Sequence, residues 1–289
     1  MQYYPIDLHM HTTVSDGTDS PAELLSKVRQ TGLKVFAVTD HDAVQGCREI
    51  LQLLEGQNDS DAPRFLPGVE FSCRDGKEKY HILGYGYDPN AESIQSMVEE
   101  AHSIRLAKVR GRLAMLRKEH GVTFTEEELD TLFRRQNPGK PHIGNLIVRK
   151  GYAKTLTEAM NWIHTPENLR KLSLKPDRVI AGILESGGIP VLAHPSFGSG
   201  DQFITGKAME ERVQHLTAMG LQGLEVFYSK NTPELTSELV DLASRYDLYV
   251  TAGSDYHGKN KPVKLGETGL PEWPVPYGLR EFLRAAGVR

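Results

Sequence analysis

Seven short apolar runs, each closed by turn or polar residues, constrain this chain more than any other feature: Tyr4–Leu8, Val35–Thr39, Phe65–Phe71, Tyr80–Tyr85, Ile189–Ala193, Leu221–Phe227 and Leu248–Ala252. They are rich in β-formers and nearly continuous rather than alternating, and helical patterns separate most of them. Strands of that kind belong to a parallel sheet covered by helices. Ser20-Pro21-Ala22-Glu23 combines an N-cap serine, a proline at the first helical position and a glutamate three residues on, which predicts a helix ending near Gly32. Helical patterns at about 175–186, 207–219 and 233–246 alternate with the last three runs in the same way. Seven such units predict an α/β barrel.

The alternation stops between the fourth and fifth runs. From Ala91 to His120 the apolar residues Ile94, Met97, Val98, Ala101, Ile104, Leu106, Val109, Leu113 and Leu116 mark a long amphipathic helix, followed by shorter helices near 126–134, 142–150 and 155–163. Residues 91–188 are therefore expected to form a helical insertion, a cap over the catalytic face, with 1–90 and 189–289 forming the barrel. At 289 residues and 39% hydrophobic content the chain can bury such a core. A net charge of −4 does not recruit nucleic acid, so an anionic substrate depends on local cations and no stable nucleic-acid partner is expected. Cys47 and Cys73 follow neither a disulfide framework nor a zinc pattern, which fits packing residues in a reducing compartment. The N-terminal residues lack a basic-then-apolar signal and no run is long enough for a membrane span, so a soluble cytoplasmic protein with no membrane partner is expected.

Residues able to ligate metals stand at the ends of these runs. The first closes on Asp7-Leu8-His9-Met10-His11, where a period of two puts Asp7, His9 and His11 on one face, with Asp16 in the loop beyond. The second closes on Thr39-Asp40-His41-Asp42, the third carries Glu70, the fourth opens with His81, the fifth ends in Ala193-His194-Pro195 and the seventh runs into Ser254-Asp255-Tyr256-His257. A barrel brings such ends together. This mix of imidazole and carboxylate suits zinc, manganese or iron, and it exceeds what one ion needs.

In Asp7-Leu8-His9-Met10-His11, Thr39-Asp40-His41, Ala193-His194-Pro195 and Ser254-Asp255-Tyr256-His257 the chain resembles the PHP (polymerase and histidinol phosphatase) superfamily, and Leu66-Pro67-Gly68-Val69-Glu70 and Tyr80-His81-Ile82-Leu83-Gly84-Tyr85 match the remaining ligand segments. The resemblance implies a distorted seven-stranded (β/α)7 TIM-like barrel, and a free-standing phosphoesterase rather than a polymerase domain. It also implies two or three divalent ions (Mn2+, Zn2+ or Fe2+). His9, His11 and Asp255 would hold the first. Glu70 would bridge to a second, shared with His81 and His194, and Asp16, His41 and His257 would hold the third. A hydroxide bridging two ions, set among Glu70, Asp255 and His194, would attack phosphorus in line. Asp7 and Asp40 would either orient imidazoles or close strand ends on backbone N–H groups.

Arg105, Lys108, Arg110, Arg112, Lys140, Arg149 and Lys150 make the insertion rich in groups that recognise phosphate. Lys140-Pro141-His142-Ile143-Gly144-Asn145 is similar to the Arg-Pro-His segment of related nucleotide phosphoesterases, with Lys140 and Asn145 in place of arginines. Lys230, after the sixth run, is a further phosphate candidate, or part of a polar helix entry capped by Asn231 or Thr232. The expected activity is hydrolysis of small phosphate esters, such as a nucleoside 3′,5′-bisphosphate or an RNA 5′ end. The alternatives are a dihydrolase of a small cyclic sugar phosphodiester, a hydrolase of carbon esters or amides and, more remotely, a non-catalytic PHP structural module.

Overall fold

The computed structural model describes residues 6–56, 62–198, 202–270 and 276–288; Tyr4 and Pro5 of the first predicted strand lie outside them. Seven strands follow one another in chain order: β1 (Ile6–Asp7), β2 (Val35–Val38), β3 (Arg64–Asp75), β4 (Glu78–Tyr85), β5 (Ile189–Leu192), β6 (Gly223–Tyr228) and β7 (Tyr249–Gly253). The Leu8 N–H donates to the Ala252 carbonyl at 3.0 Å and Met10 bridges Tyr256, which brings β1 and β7 together in a nearly closed barrel.

One expectation needs correcting. The sheet is not parallel throughout, because β4 runs antiparallel to both β3 and β5. Only Gly76 and Lys77 separate β3 from β4, and a parallel connection needs a crossover of a dozen residues or more. Asp75-Gly76 is a hairpin signal, and Gly76 takes the left-handed conformation (φ 55°) that glycine adopts without strain. The reversal matters for chemistry. It carries the first half of β4 to the end of the barrel where the parallel strands finish, so His81 arrives there from mid-strand.

Helices α1 (Pro21–Thr31) and α2 (Gln45–Leu54) follow the first two strands. The capping box predicted at Ser20 and Glu23 is present, and Gly32 ends α1 in the left-handed conformation. Between β4 and β5 lie α3 (Glu92–His120), α4 (Glu126–Phe133), α5 (Lys140–Arg149), α6 (Leu156–Trp162), α7 (Glu167–Arg170) and α8 (Pro176–Glu185). Helices α9 (Gly206–Thr217), α10 (Pro233–Arg245) and α11 (Tyr277–Ala285) complete the described helices, α11 having no counterpart among the predicted elements.

Two apolar clusters organise the packing of α3. Its Ile94, Met97 and Ala101 join the barrel cluster with Val179, Ile180 and Ile183 of α8, whereas Val109 and Leu116 join a second cluster with Leu132, Ile143, Ile147, Ala159 and Ile163. Each fully buried Val, Leu or Ile contributes roughly 1.5–3 kcal/mol, so both ends of α3 are firmly seated. Close approach of α8 to the sheet uses Gly84, where a Cβ would stand 3.0 Å from Ile183. Cys47 and Cys73 are buried free thiols. No described helix is long and apolar enough to cross a membrane.

Candidate metal centre

All nine predicted ligands meet at the mouth formed by the strand ends, and Glu70 stands at their centre. Its Oε2 lies 3.1 Å from His9 Nε2, 3.2 Å from His11 Nε2 and 3.1 Å from His41 Nδ1. Its Oε1 lies 2.8 Å from His81 Nδ1 and 3.2 Å from His194 Nε2. Asp255 Oδ1 approaches His11 at 3.5 Å and His257 at 3.3 Å, while Asp16 Oδ1 is 3.2 Å from His257 Nε2.

His9 Nε2 and His194 Nε2 are within hydrogen-bond distance of Glu70, but other ligand atoms of the cluster stay unpaired. Asp16 Oδ1, His41 Nδ1, His81 Nδ1 and His194 Nδ1 are buried with no hydrogen-bond partner. Three groups of potential ligand atoms lie within 4.8 Å of one another: His11, Asp16, His41 and His257; His9, His11 and Glu70; and His41, Glu70 and His81. Buried polar atoms without partners are costly, and a shared cation relieves that cost. The mixed nitrogen and oxygen donor set fits divalent metal ions.

The electrostatics agree. Burial alone would lower the His9 pKa, but the carboxylates of Glu225, Glu70 and Asp255 outweigh it and raise the pKa well above the usual histidine value. His11, also opposed by burial, is pushed up to about 9 by Asp255, Glu70 and Asp16. Burial opposes ionisation of Glu70, yet His41, His9 and His81 hold its carboxyl well below the ordinary range. The buried carboxylates thus demand positive charge at this centre.

A group that the sequence reading missed holds the imidazoles. Glu225, fully buried in β6, accepts from His9 Nδ1 at 2.8 Å and from the His194 backbone N–H at 2.7 Å. The first bond fixes the His9 tautomer so that Nε2 faces the centre. The second restrains His194, whose φ of 29° is strained for a non-glycine residue. Asp255 (φ 59°) and Asp42 (φ 50°) are strained in the same way. The Asp255 N–H donates to the His9 carbonyl at 2.8 Å and the Asp42 N–H to the Glu70 carbonyl at 2.8 Å. A carboxylate in the middle of the apolar run Leu224-Glu225-Val226-Phe227 was the available signal.

Of the two roles open to Asp7, the structure shows the strand-closing one. It accepts from the backbone N–H groups of Ser254 (2.9 Å) and Gly266 (2.8 Å) and from Ser254 Oγ (2.6 Å), and burial raises its pKa to about 6. Asp40 accepts from the Thr12 N–H at 2.8 Å and from Ser15 Oγ at 2.6 Å; Ser15 Oγ in turn lies 3.4 Å from His11 Nδ1. Tyr228 and Lys261, also unforeseen, donate to Asp255 Oδ2 at 3.1 and 2.6 Å.

The helices between β4 and β5 reach this mouth. Arg105 donates to Asp42 Oδ2 through Nε at 2.8 Å, and the Asn137 side chain donates to the His41 carbonyl. His142 Nδ1 accepts from the Gly139 N–H at 3.1 Å, and burial lowers its pKa to about 4. Lys140 opens α5 and is partly exposed, whereas Asn145 and Arg149 are exposed on the same helix. Arg112 donates to Thr165 Oγ1 at 2.9 Å. Lys230 is exposed and lines a cavity of about 220 Å³ with Tyr228, Asp255 and Lys261, while Thr232 caps α10.

A nearly closed α/β barrel with buried histidines and carboxylates at the mouth is the architecture of a metal-dependent hydrolase. The PHP domain model matches residues 7–164, more than half of the chain, and the chain belongs to the PHP domain family. It is similar to the 3′,5′-nucleoside bisphosphate phosphatase of Chromobacterium violaceum (26% identity, 87% of each chain covered). It is also similar to the phosphoribosyl 1,2-cyclic phosphate 1,2-diphosphodiesterase of Eggerthella lenta (28% identity, 88% of this chain and 94% of the relative). The 5′-3′ exoribonuclease Rnm of Salmonella typhimurium shares 27% identity over 94% of this chain and 90% of its own. A candidate metal-dependent phosphoesterase from Bifidobacterium adolescentis superimposes with a TM-score of 0.79 at 30% identity, covering 97% of this chain and 96% of the other. The chain is a hydrolase of phosphoric esters that depends on divalent metal ions.

Proposed function

We propose that the substrate is a small nucleotide or sugar phosphate, with a nucleoside 3′,5′-bisphosphate or a short RNA 5′ end favoured. The observation that carries this reading is the two-sided use of Glu70 beneath cationic helices. One carboxylate oxygen faces His9, His11 and His41, and the other faces His81 and His194. That division supports Glu70 as the bridge between one ion on His9, His11 and Asp255 and another on His81 and His194. Asp16, His41 and His257 are the proposed third position. The donor set suits Mn2+, Zn2+ or Fe2+. Bound ions would supply Lewis-acid charge and an activated water at neutral pH.

The chain's own residues then do the positioning. Glu225 orients His9 and restrains His194. Tyr228 and Lys261 hold Asp255 through Oδ2, which turns Oδ1 towards His9, His11 and His257. The Glu225 carboxylate at the His194 N–H and the His9 carbonyl at the Asp255 N–H hold both residues in their left-handed conformations. Lys140, His142, Asn145, Arg149, Arg105, Arg112 and Lys230 are the proposed substrate contacts. The two buried free cysteines support a cytoplasmic location.

A second reading is a cyclic phosphodiesterase. It is favoured by Lys140 and Asn145, which replace the arginines expected for a second phosphate, and by the similarity to the Eggerthella enzyme. Phosphate release from mononucleotides, 3′,5′-bisphosphates, small cyclic phosphodiesters and 5′-phosphorylated RNAs separates the two. Turnover of the cyclic compounds alone would replace the first reading by the second, and turnover of none would sink both.

A further inference from the structure

Along α3 the residues Ile94, Met97, Ala101, Arg105, Lys108 and Arg112 recur every three or four positions and so share one helix face. The first three are buried against the barrel. Beyond them the same face reaches the rim of the mouth and becomes cationic. Arg105 holds Asp42, the residue after His41, and reaches Ser72 Oγ at 3.3 Å. Lys108 has no acceptor among the described residues. Arg112 commits only its Nε, to Thr165, and leaves its two terminal amino groups without an acceptor among the described residues. Arg74 stands two residues beyond Ser72 in β3, on the same strand face, and adds its charge near Lys108.

Among the described residues, Asp42 is the one carboxylate paired with any of these four cations. Asp42 is the acid felt at Lys108, and it is already engaged by Arg105 and by the Ser72 N–H at 2.8 Å. Burial and the neighbouring Arg112 and Arg105 bring Lys108 down to about 8, and burial with Arg105 brings Arg112 down to about 10. Half-buried cations that repel one another are relieved by an anion, not by solvent alone.

We propose that Arg105, Lys108, Arg112 and Arg74 form a phosphate subsite that holds a phosphate group of the substrate other than the one hydrolysed. This rests on the phosphoesterase reading above. The free end of the Arg112 guanidinium suits bidentate contact with phosphate oxygens, and Lys108 supplies a point charge beside it. Lys108 and Arg112 lie about 4.5 Å and about 10.5 Å along the helix axis beyond Arg105, so the subsite leads away from the metal centre. Arg105 also lies beside the start of α5, at Gly139, whereas Lys108 and Arg112 belong to α3 and not to the altered Lys140 and Asn145 segment. The phosphate comes either from the second ester of a nucleoside bisphosphate or from the next phosphodiester of an RNA end.

Steady-state kinetics of wild type, Lys108→Ala and Arg112→Gln test this with adenosine 3′,5′-bisphosphate, adenosine 3′-monophosphate and a 5′-phosphorylated tetranucleotide. For the bisphosphate KM should rise about 10-fold or more, with kcat within about twofold, since a charge-assisted contact of this kind is lost. The rise for the monophosphate should be at least about threefold smaller. Equal effects on both, or none on either, would overturn the subsite. A larger effect on the tetranucleotide than on the bisphosphate assigns the subsite to an RNA backbone, and equal effects assign it to a bisphosphate. Calorimetric titration of the metal-depleted protein with adenosine 3′,5′-bisphosphate keeps the two proposals apart. Binding that weakens in both variants upholds the subsite even if no ester is hydrolysed, and binding that ignores them removes it even if the enzyme is active.

Discussion

The mouth of the barrel and the helices above it hold charge in opposite ways. At the mouth, imidazoles and carboxylates are buried, interlocked through Glu70 and Glu225, and set on backbone positions that pay strain for their orientation. Above it, the cations of α3 and α5 lie on helix faces, half-buried or exposed, and Lys108 and Arg112 of α3 have few polar partners among the described residues. The difference separates two tasks. Strand ends held from both sides fix the geometry of the reacting centre, whereas helix faces can exchange cations without disturbing it. Changes at the mouth should act on metal content and kcat, and changes above it on KM.

The largest expected effects test the first half of that contrast. His194→Ala and Asp255→Ala should each lower phosphate release by at least about 10³-fold, because a ligand to the ions is lost. Metal content of the purified variants checks the cause. A variant that keeps its metal and a tenth of its turnover would break the contrast.

Glu225→Ala is expected next. It removes the acceptor of both His9 Nδ1 and the His194 N–H, so metal affinity should fall about 10- to 100-fold. With metal removed, urea unfolding should show a loss of about 3 kcal/mol from the unpaired buried groups. Unchanged affinity would make Glu225 a packing residue. Lys140→Ala should be milder, raising KM for doubly anionic substrates about threefold to 10-fold at constant kcat. A silent Lys140→Ala would leave recognition to α3. Asn145→Ala and Arg149→Ala, both on the exposed side of α5, should be weaker again, lowering kcat/KM about twofold to threefold; no change at either would remove that residue from the substrate contacts.

Much of the mouth was legible in the sequence because ligand identity and strand periodicity point the same way there. Asp7, His9 and His11 stand two apart at the end of a run, and Asp255 and His257 do the same after the last one. His81 was legible as a ligand but not in its setting. Its run reads like the others, and only the short Asp75-Gly76 connection shows that β4 must turn back. Glu225 was hidden for another reason. Its position inside a buried strand looks like an apolar run with one exception, and its partners lie just after β1 and just after β5, far away in sequence. Lys261 sits beyond the last strand with no local pattern, and only the fold brings it to Asp255. The cationic face of α3 was visible as a list of basic residues. Its direction became clear once Ile94, Met97 and Ala101 were seen packed on the barrel.

The central claim is that ligands converging on Glu70 make this chain a metal-dependent hydrolase of phosphate esters. Metal analysis of the purified protein, followed by phosphate release from the substrate panel before chelation, after it and after return of Mn2+, tests that claim most directly. The account predicts at least two divalent ions per chain, turnover lost with the metal and turnover restored with it. Full turnover by protein stripped of metal would contradict it.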